Sequence, residues 1–287
     1  MKKNNEAAIA KGFEGIDFPF SNDNVFPIVM QDPERCRKLL ERILPDKKIS
    51  QIKLHDDKTG SYPITPEKVI NTTITGHGIR LDVLFEGEDA WYDIEMQVKS
   101  DKHLRKRSRY YHSLMDSAYL KKGRKYGELN PHYVIFICVH DPFGEGAAVY
   151  DFEMFSRKLG LSLHDGTYTI ILNTKAIDNS VPDGLRSLFD YINRTAINDN
   201  DDLIRNIHEK VVKLNMDKEW RIAMMTYEEN LEQRYEEGLA EGRSQGLAEG
   251  MYKQLISLVK EGVLSYDTAL SKAKDPETFE TMFESEE

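Results

Sequence analysis

The amino-acid sequence predicts a mixed α/β fold, in which a central mixed sheet is flanked by helices and followed by a helical tail. Residues 79–86 and 91–98 alternate between apolar and polar side chains and are joined by the short loop GEDA, a pattern typical of a β-hairpin. Two apolar runs are typical of buried strands, residues 133–139 and 168–173. The periodicity of apolar residues predicts three flanking helices, residues 32–44, 104–123 and 185–194.

The helix over residues 32–44 has a signal at each end. Asp32 is a suitable N-cap, Pro33 fits the first helical position and Pro45 follows the last turn. The apolar side chains of this segment share one helical face, so we expect it to pack against the sheet.

The helix over residues 104–123 places Leu104, Tyr111 and Met115 on one inward stripe. Arg107 falls on the N-terminal end of the same stripe, which is an unusual position for a guanidinium. Gly123 is the predicted C-cap, because glycine adopts the left-handed conformation that commonly ends a helix.

The segment WYDIEMQV at residues 91–98 puts Asp93, Glu95 and Gln97 on one strand face. If Glu86 pairs with Trp91 across the loop, Asp82 lies directly opposite Glu95, with Cβ atoms roughly 4.5–5.5 Å apart. Two carboxylates at that distance repel each other unless a proton or a cation joins them. A hard divalent ion such as Mg²⁺ suits this arrangement, although a slip of one residue in register would turn one acid to the opposite face.

The net charge of −10 is distributed unevenly along the chain. Residues 201–287 hold 11 Lys and Arg against 20 Asp and Glu, which leaves 28 basic and 29 acidic residues before them. Residues 99–125 contain ten Lys or Arg and only two acids, Asp101 and Asp116. This basic stretch is either a solvated helix face or a phosphate-binding surface beside the acidic strands.

The cysteines and the hydropathy favour a reduced, soluble protein. Cys36 and Cys138 lie in apolar or helical contexts and belong to no Cys/His cluster, so we interpret them as core thiols. The N-terminal residues have no apolar region of a signal peptide, and the longest apolar run is too short to cross a bilayer. We therefore expect a cytoplasmic protein that has no contact with the membrane.

The composition changes near residue 200, which predicts a sheet-containing domain over residues 1–200 and an acidic helical tail over residues 201–287. Within the tail, glycine recurs at every fourth position, at Gly238, Gly242, Gly246 and Gly250. A helix with that spacing has one face without side chains and could pair closely with another helix. The alternative is a frayed, partly helical linker, because each glycine costs roughly 1 kcal/mol relative to alanine. Residues 251–283 are predicted to form an amphipathic helical cap.

Several segments together resemble the Rpn-type family of recombination-promoting nucleases and putative transposases, within the PD-(D/E)XK nuclease superfamily. They are RLDV at 80–83, YDIEMQ at 92–97, KRSRYYHSLMD at 106–116 and YVIFICVHDPFG at 133–144. The resemblance runs from about residue 18 to residue 250. It implies a restriction-endonuclease-like fold, in which the central mixed sheet carries a metal-dependent catalytic site.

The resemblance also implies roles for individual residues. Asp82 and Glu95 match the metal-binding acids of the superfamily, with the backbone carbonyl of Met96 as a third ligand to Mg²⁺ or Mn²⁺. Gln97 stands where the superfamily usually has a lysine, so it would orient the attacking water without supplying a positive charge. We expect Arg107 to provide that charge beside the metal.

The basic residues next to the acid pair are candidates for phosphate contacts. They are Lys99, Lys106, Arg107 and Arg109. The predicted function is a metal-dependent deoxyribonuclease, a DNA endonuclease with little sequence specificity, linked to recombination or mobile elements. The alternative is a non-catalytic protein that uses the nuclease fold to bind DNA or a protein partner. The glycine-containing tail predicts a homodimer formed partly through residues 228–260.

Overall fold

The computed structural model describes residues 12–54, 82–120, 123–176 and 181–285. Strand residues 79–81 of the predicted hairpin, and most of the predicted extended segment at 49–75, lie outside this part of the chain. The chain forms two compact units, Met1–Lys218 and Glu219–Glu287.

A six-stranded mixed sheet forms the centre of the first unit, as the sequence predicts. Its strands are β1 (Ile52–Leu54), β2 (Val83–Gly87), β3 (Trp91–Gln97), β4 (His132–Cys138), β5 (Val149–Phe152) and β8 (Thr167–Asn173). They lie in the order β1-β2-β3-β4-β8-β5, and β3, β4 and β8 run parallel while the remaining pairs are antiparallel. Two short strands, β6 (Phe155–Ser156) and β7 (Leu161–Ser162), form a separate hairpin.

In the described part of the first unit, five α-helices accompany the sheet. They are α1 (Val25–Met30), α2 (Pro33–Ile43), α3 (Leu104–Tyr119), α4 (Asp183–Ile192) and α5 (Asp202–Met216). Helix α3 connects β3 to β4 and packs against β4, whereas α1, α2, α4 and α5 pack on one another. Helix α2 begins as predicted, with the Asp32 side chain accepting a hydrogen bond from the Arg35 N–H and Pro33 at the first position.

The prediction that Gly123 caps α3 is wrong. The helix ends at Tyr119, and its C-cap is Leu120, whose N–H donates to the Asp116 carbonyl. Gly123 does have a positive φ of 92°, but it lies beyond the last turn, so its conformation belongs to the loop that follows.

The predicted register of β2 and β3 is confirmed. Glu86 pairs with Trp91, and the ladder continues through Leu84 with Asp93 to Val83 with Ile94. One more step along the same ladder brings Asp82 opposite Glu95.

Strand β3 is buried along its whole length. It lies between β2 and β4 in the sheet, and the face that carries Asp93, Glu95 and Gln97 is covered by the core under α3. That core consists of Leu84, Trp91, Leu104, Tyr111, Met115, Val134, Phe136, Cys138 and Ile171. The polar row is therefore embedded in an apolar layer instead of facing solvent. Cys36 and Cys138 are free and buried, as expected.

Helix α5 belongs to the first unit, although the sequence interpretation placed the boundary before it. The Asn215 side chain accepts hydrogen bonds from the backbone N–H groups of Asp17 and Phe18 and donates to the Phe18 carbonyl. Arg42 on α2 makes an ion pair of 2.5 Å with Asp201, the N-cap of α5. These contacts hold α5 on the sheet-containing unit.

The second unit consists of helices. Helix α6 (Lys218–Lys260) is continuous for 43 residues through the four glycines. The segment is therefore a helix and not a frayed, partly helical linker. Helices α7 (Tyr266–Lys272) and α8 (Pro276–Ser285) follow. Together with the end of α6 they enclose a small core, as predicted for the amphipathic cap. This core consists of Tyr252, Leu255, Ile256, Ala269 and Phe279. In the described part of the chain, no helix combines the length and apolar character needed to cross a membrane.

Candidate active site

Three carboxylates form what we call the acid cluster: Asp82, Asp93 and Glu95. Asp93 and Glu95 lie on the α3-facing side of β3, where Asp93 is fully buried and Glu95 is 4% exposed. Asp82 immediately precedes β2, opposite Glu95. The alternation of polar residues in β3 and the antiparallel pairing with β2 therefore bring the three acids together.

Asp82 and Glu95 are joined by two hydrogen bonds across the strand pair. The Asp82 N–H donates to Glu95 Oε1 at 2.8 Å, and the Met96 N–H donates to Asp82 Oδ2 at 3.0 Å. Each carboxylate thus accepts from the backbone of the opposite segment, and these two contacts tie Asp82 to Glu95.

Arg107, in the first turns of α3, reaches the polar row. Its Nη2 donates to Glu95 Oε2 at 3.3 Å, and its Nη1 donates to Gln97 Oε1 at 2.7 Å and to Asp101 Oδ2 at 3.1 Å. The guanidinium carbon lies 5.5 Å from the ring centre of Tyr111 and 5.4 Å from that of Phe136. Aromatic faces attract a cation at such distances, so the two rings help to hold Arg107 in place.

Tyr111 is a further partner of Glu95. Its hydroxyl donates to Glu95 Oε2 at 3.3 Å, one helical turn after Arg107 on the same face of α3. The sequence places Tyr111 on the inward stripe of the helix, and its side chain is buried as expected. Its contact with Glu95, and the contact of Asp101 with Arg107, were not foreseen. The spacing of Arg107 and Tyr111 in KRSRYYHSLMD was the available signal for the first of these.

Both polar atoms of the Gln97 amide have protein partners. Oε1 accepts from Arg107, and Nε2 donates to the Lys99 carbonyl at the end of the strand. Gln97 is 8% exposed. In this arrangement the side chain supports Arg107, whereas a role in orienting water remains a prediction.

Burial raises the pKa values of two carboxyl groups in the acid cluster. Burial is the main cause that raises the pKa of Glu95 to about 8, and the nearby charge of Asp82 adds to it, while Arg107 opposes the shift. The pKa of Asp93 is raised well above its usual value, again chiefly by burial and then by the charge of Glu95. Both carboxylate oxygens of Asp93 lack a hydrogen-bond partner among the described residues. Protons or an additional cation would relieve this excess of negative charge.

The chemistry of these donors fits a hard divalent cation. Carboxylate oxygens are the ligands that Mg²⁺ prefers, and this ion typically takes one or two of them and keeps several waters. In the ranges that the structure describes, no group of three or more His, Cys, Asp or Glu side chains is arranged to hold a metal ion. A site built on Asp82 and Glu95 would therefore be completed by water or by a backbone oxygen. Met96 lies between Glu95 and Gln97, and its side chain takes the opposite face of β3.

The other predicted phosphate contacts are on the surface. Lys99 follows β3, and Lys106 and Arg109 lie on the outward side of α3, all three exposed. Within the described residues, none of the three makes an ion pair, whereas the exposed Arg124 and Arg205 both do. The structure thus brings Arg107 to the acid cluster and leaves Lys99, Lys106 and Arg109 facing solvent beside it.

One of three comparisons with known proteins identifies a family. The model of a PD-(D/E)XK nuclease family transposase matches residues 37–237, which include β2, β3, α3 and β4. No curated protein and no solved structure matches the chain. Because the family model covers more than half of the 287 residues, the chain belongs to the PD-(D/E)XK nuclease family of transposases.

Proposed function

We propose that the protein is a DNA endonuclease that hydrolyses phosphodiester bonds with Mg²⁺ or Mn²⁺ and with little sequence specificity. The observation that carries this proposal is the partly buried contact between Asp82 and Glu95, with the guanidinium of Arg107 against Glu95. Family membership supports nuclease activity, and a part in recombination or in mobile elements, inside the cytoplasm, is the role that accords with it.

Asp82 and Glu95 would hold the metal ion through carboxylate oxygens, together with the backbone carbonyl of Met96. When bound, a divalent ion supplies an acidified water and neutralises charge that develops on the phosphate. Burial raises the pKa of Asp93 as well as that of Glu95, so a bound cation would replace the protons that these two carboxyl groups otherwise hold.

The remaining residues of the site position and balance charge. Arg107 would contact the scissile phosphate, since a guanidinium offers paired donors that match phosphate oxygens. Gln97 fixes the guanidinium through its Oε1 atom, and the Tyr111 hydroxyl donates to the same Glu95 oxygen as Arg107. Gln97 would also orient the attacking water if its Nε2 atom left the Lys99 carbonyl.

The exposed cations Lys99, Lys106 and Arg109 would bind the flanking phosphates of the DNA. Contacts to phosphate carry no sequence information and release counterions, so binding should weaken steeply with salt and depend little on sequence. For this reason we propose that the enzyme cleaves DNA with little sequence specificity.

Plasmid nicking tests the proposal. Supercoiled plasmid is incubated with Mg²⁺ or Mn²⁺ and the wild type, Asp82→Asn or Glu95→Gln. We expect both variants to lose at least about 10³-fold in rate, because each removes a charged ligand. Glu86→Gln is the matched control, since Glu86 lies on β2, one third exposed, and pairs with Lys53 at the surface. Equal nicking by the wild type and both variants would contradict the assignment.

A second candidate is a nuclease-fold protein that binds DNA or a protein without cutting. The observation in its favour is Gln97, which occupies the position of the usual lysine and has both amide atoms engaged. Calorimetric titration with Mn²⁺ distinguishes the two functions. An enzyme takes up the ion in a fixed ratio that Asp82→Asn abolishes, whereas a binding protein shows no such uptake.

We also propose a homodimer formed partly through residues 228–260. A Cβ atom added at Gly238, Gly242, Gly246 or Gly250 meets no atom within 4 Å, so the glycine face of α6 is open for a second helix. Sedimentation of the full chain should give the mass of a dimer, and Gly242→Leu with Gly246→Leu should reduce it to a monomer by filling that face. A wild-type monomer would exclude this contact.

A further inference from the structure

A cavity of about 270 Å³ opens beside the acid cluster. It is lined by Ser100, Asp101, Lys102, Leu104, Arg105, Pro142 and Phe143. These residues come from the loop between β3 and α3, from the first turn of α3, and from the loop after β4. Because β3 and β4 are parallel, both loops leave the same edge of the sheet, where ligands of α/β proteins commonly bind.

One wall of the cavity is held rigidly by Asp141. Its carboxylate accepts hydrogen bonds from the backbone N–H groups of Phe143, Gly144 and Gly146, and from the Tyr150 hydroxyl at 2.8 Å. The Phe143 ring packs against Tyr150, with ring centres 4.6 Å apart. Phe143 is thus presented in a fixed position, as required of a side chain that binds a ligand without prior rearrangement.

The lining combines flat and charged groups. The Arg105 guanidinium lies 4.8 Å from the centre of the Phe143 ring, so a planar cation and an aromatic ring line the same space. Lys102 is exposed at the rim. Asp101 supplies a carboxylate that accepts from the His103 N–H and from Arg107.

Asp101 also connects the cavity to the acid cluster. Its Oδ2 atom lies 3.1 Å from Arg107 Nη1, and Arg107 in turn contacts Glu95. A DNA strand whose phosphate contacts Arg107 would therefore lie close to the opening of the cavity.

We propose that this cavity binds one unpaired nucleobase of the DNA strand next to the scissile phosphate, so that the enzyme acts preferentially on DNA with unpaired nucleotides. The inference rests on the proposed nuclease function and specifies its substrate class. Stacking on aromatic and guanidinium planes is how proteins bind bases without reading their sequence. A volume just below the usual range of small-molecule sites, about 300–1,000 Å³, suits a single base.

An unpaired base enters such a cavity more readily than a paired one. A base in a duplex must first lose its stacking and pairing, and this cost is smallest for a mismatched, damaged or single-stranded nucleotide. The cavity consequently favours single-stranded segments, flaps or frayed ends over an intact duplex.

Two arginines on α3 allow a matched test. Arg105 and Arg109 are both exposed and one turn apart, but only Arg105 lines the cavity. Fluorescence anisotropy in a chelating buffer measures binding of the full chain to a labelled single-stranded oligonucleotide and to its duplex, without cleavage. We expect Arg105→Ala to weaken binding of the single strand roughly tenfold more than binding of the duplex, whereas Arg109→Ala should weaken both forms equally.

Two further measurements separate stacking from charge and from folding. Phe143→Leu keeps an apolar side chain against Tyr150 but removes the ring, and it should reproduce the selective loss on the single strand. An abasic site moved along the oligonucleotide should weaken wild-type binding at one position, and this effect should vanish in Arg105→Ala.

The inference is overturned if Arg105→Ala and Arg109→Ala weaken binding of both DNA forms alike, or if Phe143→Leu and the abasic site have no selective effect. Either result leaves plasmid nicking by the wild type intact. The absence of wild-type nicking would instead contradict the proposed nuclease function, so the two failures are distinguishable.

Discussion

Helix α3 covers two clusters of buried polar side chains, whose pKa values are shifted in opposite directions. On one side, Arg107 and Tyr111 contact Glu95 of the acid cluster. On the other, Ser108 and His112, each one position further along, contact Thr169 of β8 at 2.7 and 2.8 Å. The His112 ring lies 4.8 Å from that of His132. We call Ser108, His112, His132 and Thr169 the neutral cluster.

Burial affects the two clusters in opposite ways. It lowers the pKa of His112 to about 4 and also lowers that of His132, so both rings are uncharged near pH 7. His112 Nδ1 and His132 Nε2 lack a partner among the described residues, but an uncharged ring nitrogen is far less costly to bury than an ion. In the acid cluster, burial instead raises the pKa values of Glu95 and Asp93, so these carboxylates need a proton or a bound cation besides Arg107. The comparison shows that the need for a proton or a cation, not polarity alone, distinguishes a candidate site from a structural contact.

Of the effects that distinguish the two clusters, the largest is expected when the Arg107 guanidinium is removed. Arg107→Ala should lower kcat/KM for plasmid nicking by about 10²–10³-fold, as is found when one charge-stabilising donor is lost. Ser108→Ala, the neighbouring residue in the neutral cluster, should leave the rate within about threefold. Arg107→Lys keeps the charge but loses the paired geometry, so it should retain part of the activity. Equal rates for Arg107→Ala and Ser108→Ala would show that the two clusters do not differ in function.

The second effect is a fall in stability above about pH 6.5, which the acid cluster produces and the neutral cluster does not. Glu95 has a pKa of about 8 in the folded protein against a usual 4.5, so between these values the folded chain holds a proton that the unfolded chain has released. Below about pH 6.5 the lowered pKa of His112 opposes this effect. The free energy of unfolding in a chelating buffer should therefore fall as pH rises from about 6.5 to about 8, by up to about 2 kcal/mol.

Thermal unfolding across this pH range measures the effect, and Glu95→Gln should flatten the profile. Adding Mg²⁺ at pH 8 should raise the unfolding temperature of the wild type, because a ligand that binds only the folded state stabilises it. A wild-type profile that rises with pH, or one that Glu95→Gln leaves unchanged, would contradict the raised pKa.

The sequence was sufficient to predict the strand pair because both of its determinants are local. A four-residue loop and strict alternation fix the register of β2 and β3, and the register alone sets Asp82 opposite Glu95. The inward position of Arg107 followed likewise from helical periodicity. Each of these features depends on residues that are close together in the chain.

Features that depend on the packing of distant segments were not predicted. The hydrogen bond between Arg107 and Gln97 depends on how α3 is oriented about its axis above β3. The cavity forms only because the loop after β4 packs next to the loop after β3. The placement of α5 in the first unit depends on contacts of Asn215 with residues almost 200 positions away. Periodicity describes which face of an element is buried, but not which partner covers it.

The smallest expected effect concerns the neutral cluster and should appear in stability alone. Thr169→Val preserves shape but removes the hydroxyl that joins Ser108 and His112, so it should lower the free energy of unfolding by about 1–3 kcal/mol. Thr167→Val on the same strand is the control, since its hydroxyl bonds only the exposed Asp165 at 2.9 Å, and it should cost less than about 0.5 kcal/mol. Urea denaturation measures both. Mn²⁺ binding and plasmid nicking should be unchanged by either substitution, because neither alters the charge around Glu95. A loss of nicking in Thr169→Val would mean that the neutral cluster contributes to the same site, and the need for a proton or a cation would then not distinguish the two clusters.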